Sequence, residues 1–359
     1  MFHSQGFSVT HSKYPFFLQQ DSRSVVTMDT GNTMMSSIGN QPDNVTLAMY
    51  DGNQIALTVL PSKVFKATPG LIAELNEIRT LTHPNLHRLI GICLDEQNFC
   101  EFLAQEACLK GSLEDVLENE TIKLDWSFKF SLLRDLTEGM HYLHGSVIIS
   151  HGLLSARNCL VDNRFMVKIS NYGIRTFVPS VDFQPLEKSD EGRDFKLLLW
   201  RAPELLRQVM PPRGTQKGDV YGYGIIISQL ILRCEPFDTQ DSDNRARGYG
   251  GTDKEILLEV KQGSIPPLRP QVPRAACSPE LYQLMERCWS EYPIERPSFV
   301  KITEIVRKIA GKASNNIIDH LLRRMEQYAN SLEEQVAQKT EQVRILNYST
   351  SIQHRPSPS

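Results

Sequence analysis

Three polar side chains lie at fixed spacing in the stretch from His151 to Gly173, HGLLSARNCLVDNRFMVKISNYG. They are His151, Asn158 and Asn171, and the last of them begins an Asn-Tyr-Gly tripeptide. An amide oxygen can ligate a hard cation, but Asn171 is neutral and lacks the charge on which a Mg²⁺ site usually draws. Leu153, which lies between His151 and Asn158, can accept no proton. The stretch therefore has the spacing of a catalytic site without its acid–base chemistry.

That spacing is the spacing of the protein-kinase catalytic loop, H-R-D-L-x-x-x-N, followed by the D-F-G turn. His151, Leu154 and Asn158 match the pattern. Leu153 stands where the catalytic-base Asp belongs, and Asn171 stands where the Mg²⁺-holding Asp belongs. Phosphoryl transfer needs one carboxylate to accept the hydroxyl proton and another to hold Mg²⁺ on the phosphates. Two losses at independent positions predict a catalytically inactive kinase-like domain, or pseudokinase.

The side of the site that would hold phosphates is degenerate as well. A glycine-rich G-x-G-x-x-G loop is expected near the start of such a domain, but Gly31 and Gly39 are separated by the wrong distance. The segment IALT lies on the V-A-I-K pattern, with Thr58 in place of the phosphate-pairing lysine. Lys63 and Lys66 are nearby, and their reaching in from a loop is the alternative.

Three positions retain a residual, weak potential for nucleotide binding. Asn158 is the one metal-side residue left in the catalytic loop, and Glu106 and Cys108 lie at the end of the last predicted strand of the small lobe. They leave open an alternative in which ATP binds as an allosteric ligand without phosphoryl transfer. No other cofactor and no metal site is predicted.

The segments around these motifs predict an α+β fold of the two-lobed protein-kinase type. Two strands with a hairpin turn are predicted within residues 44–61, and two more within 86–108, to complete a five-stranded small lobe. Apolar residues at helical spacing predict a helix over 69–81. Further helices are predicted after Ser112, its N-cap, and over 125–144, where they begin a helical large lobe.

Glu74 lies nine residues before His83-Pro84-Asn85, which is the offset of the helix glutamate that pairs with the strand lysine in kinases. Thr58 replaces that lysine, so Glu74 has lost its usual partner. We expect Glu74 either to face solvent or to pair with another residue.

The residues that hold a kinase fold together are all present. Glu204 ends an Ala-Pro-Glu motif, Asp219 begins the central helix, and Arg296 belongs to a late C-W…R-P element. The motif predicts a buried Glu204–Arg296 ion pair, in which loss of one partner costs about 3 to 5 kcal/mol. Tyr172 has an apolar ring that can stack with His151, and also with Ile78 and Leu89 across the lobes.

Composition and charge exclude several function classes. A net charge of -3 gives no general reason to expect nucleic-acid binding. The seven cysteines lack C-x-x-C spacing, which argues against a disulfide framework or a zinc site. No apolar run approaches the roughly 20 residues of a membrane span, and the N-terminus does not resemble a signal peptide. A cytoplasmic chain is expected.

Apolar residues of the C-terminal segment step alternately by four and three, which is the pattern of a heptad seam. We expect a dimerisation helix over residues 314–346, and a packed amphipathic helix is the alternative. The seam contains Ile318, Leu322, Met325, Ala329, Leu332 and Val336. Residues 347–359 are expected to be a disordered tail. Residues 1–43 are expected to be disordered or to contribute a first strand near their end, which leaves 44–312 for the kinase-like domain.

The segments GSLEDVLENETIKLDW, LLLWRAPELLR and above all NIIDHLLRRMEQYANSLEEQV resemble the membrane receptor guanylyl cyclases. The resemblance covers about residues 48–340 and includes the His-Gly pair at 151–152. It implies a kinase-homology domain on the cytoplasmic side of the plasma membrane, followed by a dimerisation helix. In that family a cyclase domain that makes cyclic GMP comes next. The tail begins where that domain would, so this chain alone is not expected to make cyclic GMP.

The sequence thus predicts an inactive regulatory and dimerisation module of a receptor guanylyl cyclase. Its expected partner is a second copy or a longer receptor guanylyl cyclase, bound through the C-terminal helix. One alternative is the nucleotide-binding switch. The other is an active protein kinase of non-standard chemistry, which would need replacements for Thr58, Leu153, Asn171 and the glycine-rich loop together.

Overall fold

The computed structural model describes residues 45–313, apart from 51–52, 63, 96, 175, 178–183, 188–189, 191–192 and 239–250. It also describes a two-residue strand, Thr27–Met28, and the helical positions Ala329, Val336 and Thr340. Within this part of the chain, no helix is both long enough and apolar enough to cross a lipid bilayer. All seven cysteines are free thiols.

The small lobe is an antiparallel sheet with the strand order β1-β2-β3-β5-β4. Its five strands are β1 (Thr27–Met28), β2 (Val45–Tyr50), β3 (Asn53–Val59), β4 (Leu89–Leu94) and β5 (Cys100–Glu106). The predicted hairpin is therefore present as β2 and β3, and β1 adds the first strand from within the N-terminal segment.

One helix, α1 (Pro69–Arg79), packs on this sheet. Thr68 is its N-cap, and the Thr68 side-chain oxygen accepts a hydrogen bond from the N–H of Leu71 at 3.2 Å. Leu75 and Ile78 are buried on the same face as Leu71, as their helical spacing predicts. This arrangement turns Glu74 and Glu77 toward the large lobe, where both find partners.

The large lobe is helical, with one short hairpin. It contains α2 (Leu113–Glu118), α3 (Trp126–His144), β6 (Cys159–Val161), β7 (Val167–Ile169), α4 (Pro203–Arg207), α5 (Gln216–Leu232), α6 (Asp253–Gln262), α7 (Pro279–Cys288) and α8 (Phe299–Ala313). Short 3-10 turns occur at Phe195–Leu198, Arg274–Ala276 and Pro293–Glu295. The fold is thus α+β and kinase-like, with a small β-rich lobe and a larger helical lobe, as predicted.

Helix α5 is the central element of the large lobe. Every residue from Gly218 to Leu232 is buried, which is why this helix is apolar all round instead of carrying one apolar stripe. Its first turn carries Asp219, and its glycines allow close packing. A Cβ at Gly222 would lie 2.8 Å from the carbonyl oxygen of Leu154, so the catalytic-loop backbone rests directly on this helix.

The two lobes are joined by backbone hydrogen bonds next to the predicted site. The N–H of His87 donates to the carbonyl oxygen of Ile169 at 2.8 Å. The N–H of Ile169 donates to the carbonyl oxygen of Asn85 at 2.9 Å. The segment just before β4 is therefore fixed to β7, which leads directly to Asn171.

Candidate functional site

The catalytic-loop frame is built on Asp219. Its carboxylate accepts hydrogen bonds from the N–H of His151 at 2.7 Å and from the N–H of Gly152 at 2.8 Å. His144 Nε2 lies 2.9 Å from the same carboxylate. Because Asp219 is buried and bonded on both oxygens, it fixes the loop backbone and takes no part in acid–base chemistry at the surface.

His151 is held as a neutral ring. Its Nε2 lies 2.8 Å from the carbonyl oxygen of Ser170, and its Nδ1 accepts the N–H of Leu153 at 3.1 Å. An Nδ1 that accepts leaves the proton on Nε2, so the hydrogen-bond network selects this tautomer. Burial lowers the pKa of His151 and thereby favours the neutral ring. The histidine therefore links the loop to β7 and positions both.

Leu153 places an apolar side chain where a catalytic base would lie. It is half-buried and lines a cavity of about 320 Å³. Most of the side chains that line the cavity are apolar, among them Leu153, Ile174, Phe177, Leu197, Trp200 and Leu205. A leucine carries no group that accepts a proton, so the geometry supplies no general base at this position.

The two asparagines at the metal-holding positions bond to each other. Asn171 Nδ2 donates to Asn158 Oδ1 at 2.8 Å, and Asn158 Nδ2 donates to the carbonyl oxygen of Leu153 at 2.7 Å. Asn171 has a φ of 58°, a left-handed conformation that asparagine tolerates better than most residues. We call Asn158 and Asn171 the amide pair. Its members are neutral, and the one hydrogen bond between them engages the side-chain oxygen of Asn158.

Thr58 lies on β3 between two strands, opposite Val45 on β2 and Leu103 on β5. Its short hydroxyl side chain carries no charge, so the position cannot pair with a phosphate or with Glu74 as a lysine would. Of the two alternative lysines, Lys66 lies over the ring of Phe99 at 5.8 Å, and Lys63 falls outside the described residues.

Glu74 has found another partner, which is one of the two outcomes expected from the sequence. Its Oε2 accepts hydrogen bonds from Thr176 Oγ1 at 2.9 Å and from the N–H of Thr176 at 3.4 Å. Thr176 follows the Asn-Tyr-Gly turn of the large lobe. Glu74, which has no lysine partner in the small lobe, is therefore bonded to the large lobe instead.

Glu106 ends β5 at the position where the adenine base of a nucleotide would bind, and its polar groups are bonded to other residues of the chain. The carbonyl oxygen of Glu106 lies 2.8 Å from Nε2 of the buried His87, and its carboxylate forms an ion pair with Lys168 at 3.0 Å. The same carboxylate accepts the N–H of Arg88 at 2.9 Å. Cys108 is buried, and burial raises the pKa of its thiol.

Tyr172 ties the turn to the small lobe. It is buried, and its hydroxyl donates to the carbonyl oxygen of His87 at 3.1 Å. Ile78 and Leu89 belong to the same buried core, as their predicted packing across the lobes requires. Gly173 follows with a φ of 79°, and a Cβ there would lie 2.9 Å from Ile78 Cγ1. The kinase-like closure of the lobes is therefore kept.

A cluster around Gly152 was not predicted from the sequence. Gly152 has a φ of 80°, and a Cβ there would lie 2.6 Å from the carbonyl oxygen of Arg213. Ser150 Oγ donates to that same carbonyl at 2.7 Å. Arg213 then extends to α1, where its Nη2 lies 2.5 Å from Glu77 Oε2. The only hint in the sequence is the glycine of the His-Gly pair, which makes room for the loop that carries Arg213.

The ion pair predicted between Glu204 and Arg296 is present. Arg296 Nη1 and Nη2 lie 2.7 and 2.9 Å from the two carboxylate oxygens of Glu204. Arg296 also donates to the carbonyl oxygens of Ser290, Lys217 and Glu291. This bidentate pair joins the Ala-Pro-Glu motif to the segment before α8, and its role is structural.

Residues 45–306 match the model of the protein tyrosine and serine/threonine kinase family. The chain belongs to this family. Over 310 residues it is 39% identical to atrial natriuretic peptide receptor 2 of Homo sapiens, covering 86% of this chain and 28% of that receptor. It is 39% identical over 280 residues to receptor-type guanylate cyclase gcy-28 of Caenorhabditis elegans, covering 76% and 21%. It is 36% identical over 316 residues to retinal guanylyl cyclase 2 of Bos taurus, covering 86% and 27%.

The similarity to proteins named as receptor guanylate cyclases therefore extends over most of the chain, as the resemblance predicted. The chain spans less than a third of the length of these relatives.

A kinase-family site normally holds a magnesium nucleotide, and the residues present do not fit that group. The two metal-side positions are the amide pair, and the lysine position is Thr58. The carbonyl oxygen of Glu106 is engaged by His87. Within the part of the chain that the structure describes, no group of three or more His, Cys, Asp or Glu could hold a metal ion.

Most of the predicted dimerisation seam lies outside the described residues. Ile318, Leu322, Met325 and Leu332 are among the residues not described. Ala329 and Val336 are helical and exposed, and Thr340 Oγ1 donates to the carbonyl oxygen of Val336 at 2.7 Å. The pairing of this helix remains a prediction.

Proposed function

We propose that this chain is an inactive kinase-homology module that regulates a receptor guanylyl cyclase, acting through a C-terminal dimerisation helix. Its place in the cell would be the cytoplasmic side of the plasma membrane. The single observation that carries the loss of phosphoryl transfer is the amide pair, with Asn171 Nδ2 bonded to Asn158 Oδ1 at 2.8 Å. Two neutral amides supply none of the negative charge on which a magnesium site usually draws.

A second group of contacts supports a conformational role. Helix α1 is held against the large lobe by Glu77–Arg213 and Glu74–Thr176, and Tyr172 bonds to His87 across the lobes. These contacts join the lobes in place of the lysine–glutamate pair. A domain whose closure depends on its own side chains can pass a change between the lobes to the helix that follows α8.

The regulatory part of the proposal rests on the similarity to receptor guanylate cyclases, which are named for making cyclic GMP. The register of a paired helix would set the geometry of a cyclase dimer. A chain that carries the same helix would form heterodimers with a full-length receptor and reduce its output.

Light scattering of the whole chain tests the dimer. Leu322→Glu together with Leu332→Glu places charges in the heptad seam, whereas Gln327→Glu adds one outside it and serves as the matched control. We expect a dimer for the unchanged chain and for the control, and a monomer for the double variant. A monomer in all three would contradict the dimerisation role.

Co-expression with a full-length receptor guanylyl cyclase tests the regulatory role. The expected result is lower cyclic GMP production with the unchanged chain and normal production with the double variant. Unchanged cyclic GMP production while the two proteins form a complex would contradict regulation but not dimerisation.

A further inference from the structure

Helix α1 is held to the large lobe through two neighbouring turns. Glu77 forms an ion pair with Arg213. Glu74 accepts hydrogen bonds from both the hydroxyl and the N–H of Thr176. The residue after Thr176 adds a third contact, because the rings of Phe177 and Phe65 meet edge to face at 4.8 Å. The start of the segment that follows the Asn-Tyr-Gly turn is therefore docked on the small lobe.

Thr176 itself is exposed, although its hydroxyl is bonded to Glu74. Its Oγ1 lies 2.9 Å from Glu74 Oε2, so any group added to that oxygen must enter the space beside a carboxylate. A phosphate would bring a charge of about -1.5 to -2 into this space.

We propose that Thr176 is a phosphorylation site whose modification releases α1 from the large lobe. A serine/threonine protein kinase acting in trans would transfer the γ-phosphoryl group of ATP. A bond forms between Thr176 Oγ1 and the γ-phosphorus, the bond from that phosphorus to the β–γ bridging oxygen breaks, and ADP and the hydroxyl proton leave. The product loses the hydroxyl hydrogen bond to Glu74 and gains repulsion between two anions.

The direction of the effect follows from the cluster around Gly152. In the kinase pattern the residue after the catalytic-loop histidine is an arginine, a side chain well suited to pairing with a phosphate. Gly152 stands there instead, and the space beside its Cα is filled by the backbone of Arg213 and Gly214. The arginine of that loop is bonded to Glu77 and to the carbonyl oxygen of Val147. Neither position therefore offers an arginine to a phosphate on Thr176, whose side-chain hydroxyl is bonded to the Glu74 carboxylate, so repulsion sets the expected direction of the effect.

The release would change the same closure that the proposed function uses. After loss of the Glu74–Thr176 contact, the Glu77–Arg213 ion pair still joins α1 to the large lobe, but its side chains are half-exposed. The consequence for cyclic GMP signalling rests on the proposed function. The release itself is a property of this chain and can be measured without any cyclase.

The first experiment uses hydrogen exchange on the full chain with phosphothreonine incorporated genetically at position 176. We expect exchange in residues 69–79 to become about tenfold faster. The matched control carries phosphothreonine at position 121, where the exposed Thr121 hydroxyl is bonded to Asn119 and not to α1. Exchange in α1 that is unchanged or slower with phosphate at position 176 would overturn the release.

Two variants separate charge repulsion from simple loss of the hydrogen bond. Thr176→Val removes the hydroxyl without adding charge, so its acceleration should be smaller than that of the phosphorylated chain. Glu74→Gln removes one of the two anions, so phosphorylation in that background should accelerate exchange less. Equal acceleration with and without the Glu74 charge would overturn the electrostatic mechanism.

The second experiment tests whether the site is modified. The full chain is expressed in cultured animal cells with a phosphatase inhibitor, and fragment-ion mass spectrometry locates phosphate in the tryptic peptide that begins at Thr176. Phosphate on Thr176 is the expected result. A peptide that carries no phosphate on Thr176 would overturn the assignment, whatever the light-scattering test of the proposed function finds.

Discussion

Arg213 of the large lobe is bonded to Glu77 of α1, with 2.5 Å between Nη2 and Oε2. The same arginine donates from Nη1 to the carbonyl oxygen of Val147 at 3.1 Å. This contact crosses from one lobe to the other. A helix that has lost its partner in its own lobe is thus held by the other lobe.

Removing the Arg213–Glu77 pair should make hydrogen exchange in α1 faster while it lowers the free energy of unfolding only slightly. The side chains are 23% and 45% exposed, so solvent screens the pair and its coupling free energy should be about 0.2 to 1 kcal/mol. A double-mutant cycle with Arg213→Gln and Glu77→Gln, read by urea unfolding and by hydrogen exchange in α1, measures it. The exposed pair Lys301–Glu304 is the control. No coupling combined with unchanged exchange in α1 would contradict the role of Arg213.

Restoring a side chain at Gly152 should destabilise the protein. Gly152→Ala places a Cβ 2.6 Å from the carbonyl oxygen of Arg213 at a φ of 80°, so we expect a loss of about 1 to 3 kcal/mol in the free energy of unfolding. Gly311→Ala is the control, because no atom lies within 4 Å of a Cβ there. The control should stabilise α8 by about 0.5 to 1 kcal/mol. Urea denaturation gives both values, and a neutral Gly152→Ala would show that the loop can move aside.

Arg296→Ala should cost the most stability among these variants. The guanidinium is fully buried and leaves behind a carboxylate and three carbonyl oxygens that have lost a donor. We expect a loss of about 3 to 5 kcal/mol, measured by denaturant unfolding at neutral pH. Lys301→Ala, at an exposed pair, should change the free energy by less than about 0.5 kcal/mol. Similar losses for both variants would contradict the structural role of Arg296.

The motifs made the fold predictable, because they carry fixed distances along the chain. The Glu204–Arg296 pair and the position of Asp219 at the start of the central helix could be placed from sequence, since residue types and spacing determine them. The helices and strands followed from periodicity and capping, as at Ser112, whose side chain caps α2.

The contacts that replace catalysis could not be placed in the same way. Motif spacing indicated that Glu74 lacks its usual lysine partner. It could not indicate the new partner, because Thr176 lies 102 positions away along the chain. The Gly152–Arg213 contact depends on the path of a loop that carries no recognised pattern. Neither contact has a local sequence signature, because each depends on how the two lobes pack.

Magnesium and ATP should not stabilise the protein. Thr58 and the amide pair supply no charge for the phosphates or the metal, so the melting temperature should be unchanged at millimolar Mg²⁺-ATP. Binding at about 100 times the dissociation constant would add about 2.7 kcal/mol of stability. An increase in melting temperature of that size would favour the alternative of an ATP-binding switch.

Acidification below pH 6.5 should destabilise the protein through its buried histidines. Burial lowers the pKa of His87 and of His151 from the ordinary 6.5, so the unfolded chain binds protons that the folded chain resists. The stabilising contribution is fully present above pH 6.5 and is lost as the pH falls below that value. Melting temperatures from pH 5 to 8 should fall more steeply for the unchanged chain than for His87→Gln. Equal slopes would contradict a neutral His87 in the fold.

The amide pair has a consequence for the cell's energy supply. Domains that hold a magnesium nucleotide respond to changes in the ratio of ATP to ADP, since each nucleotide stabilises closure differently. The Asn158–Asn171 bond is formed by two side chains of the chain itself, and its neutral amides offer no charge to a magnesium nucleotide. We expect a receptor complex that contains this chain to have one subunit whose shape is independent of metabolic state.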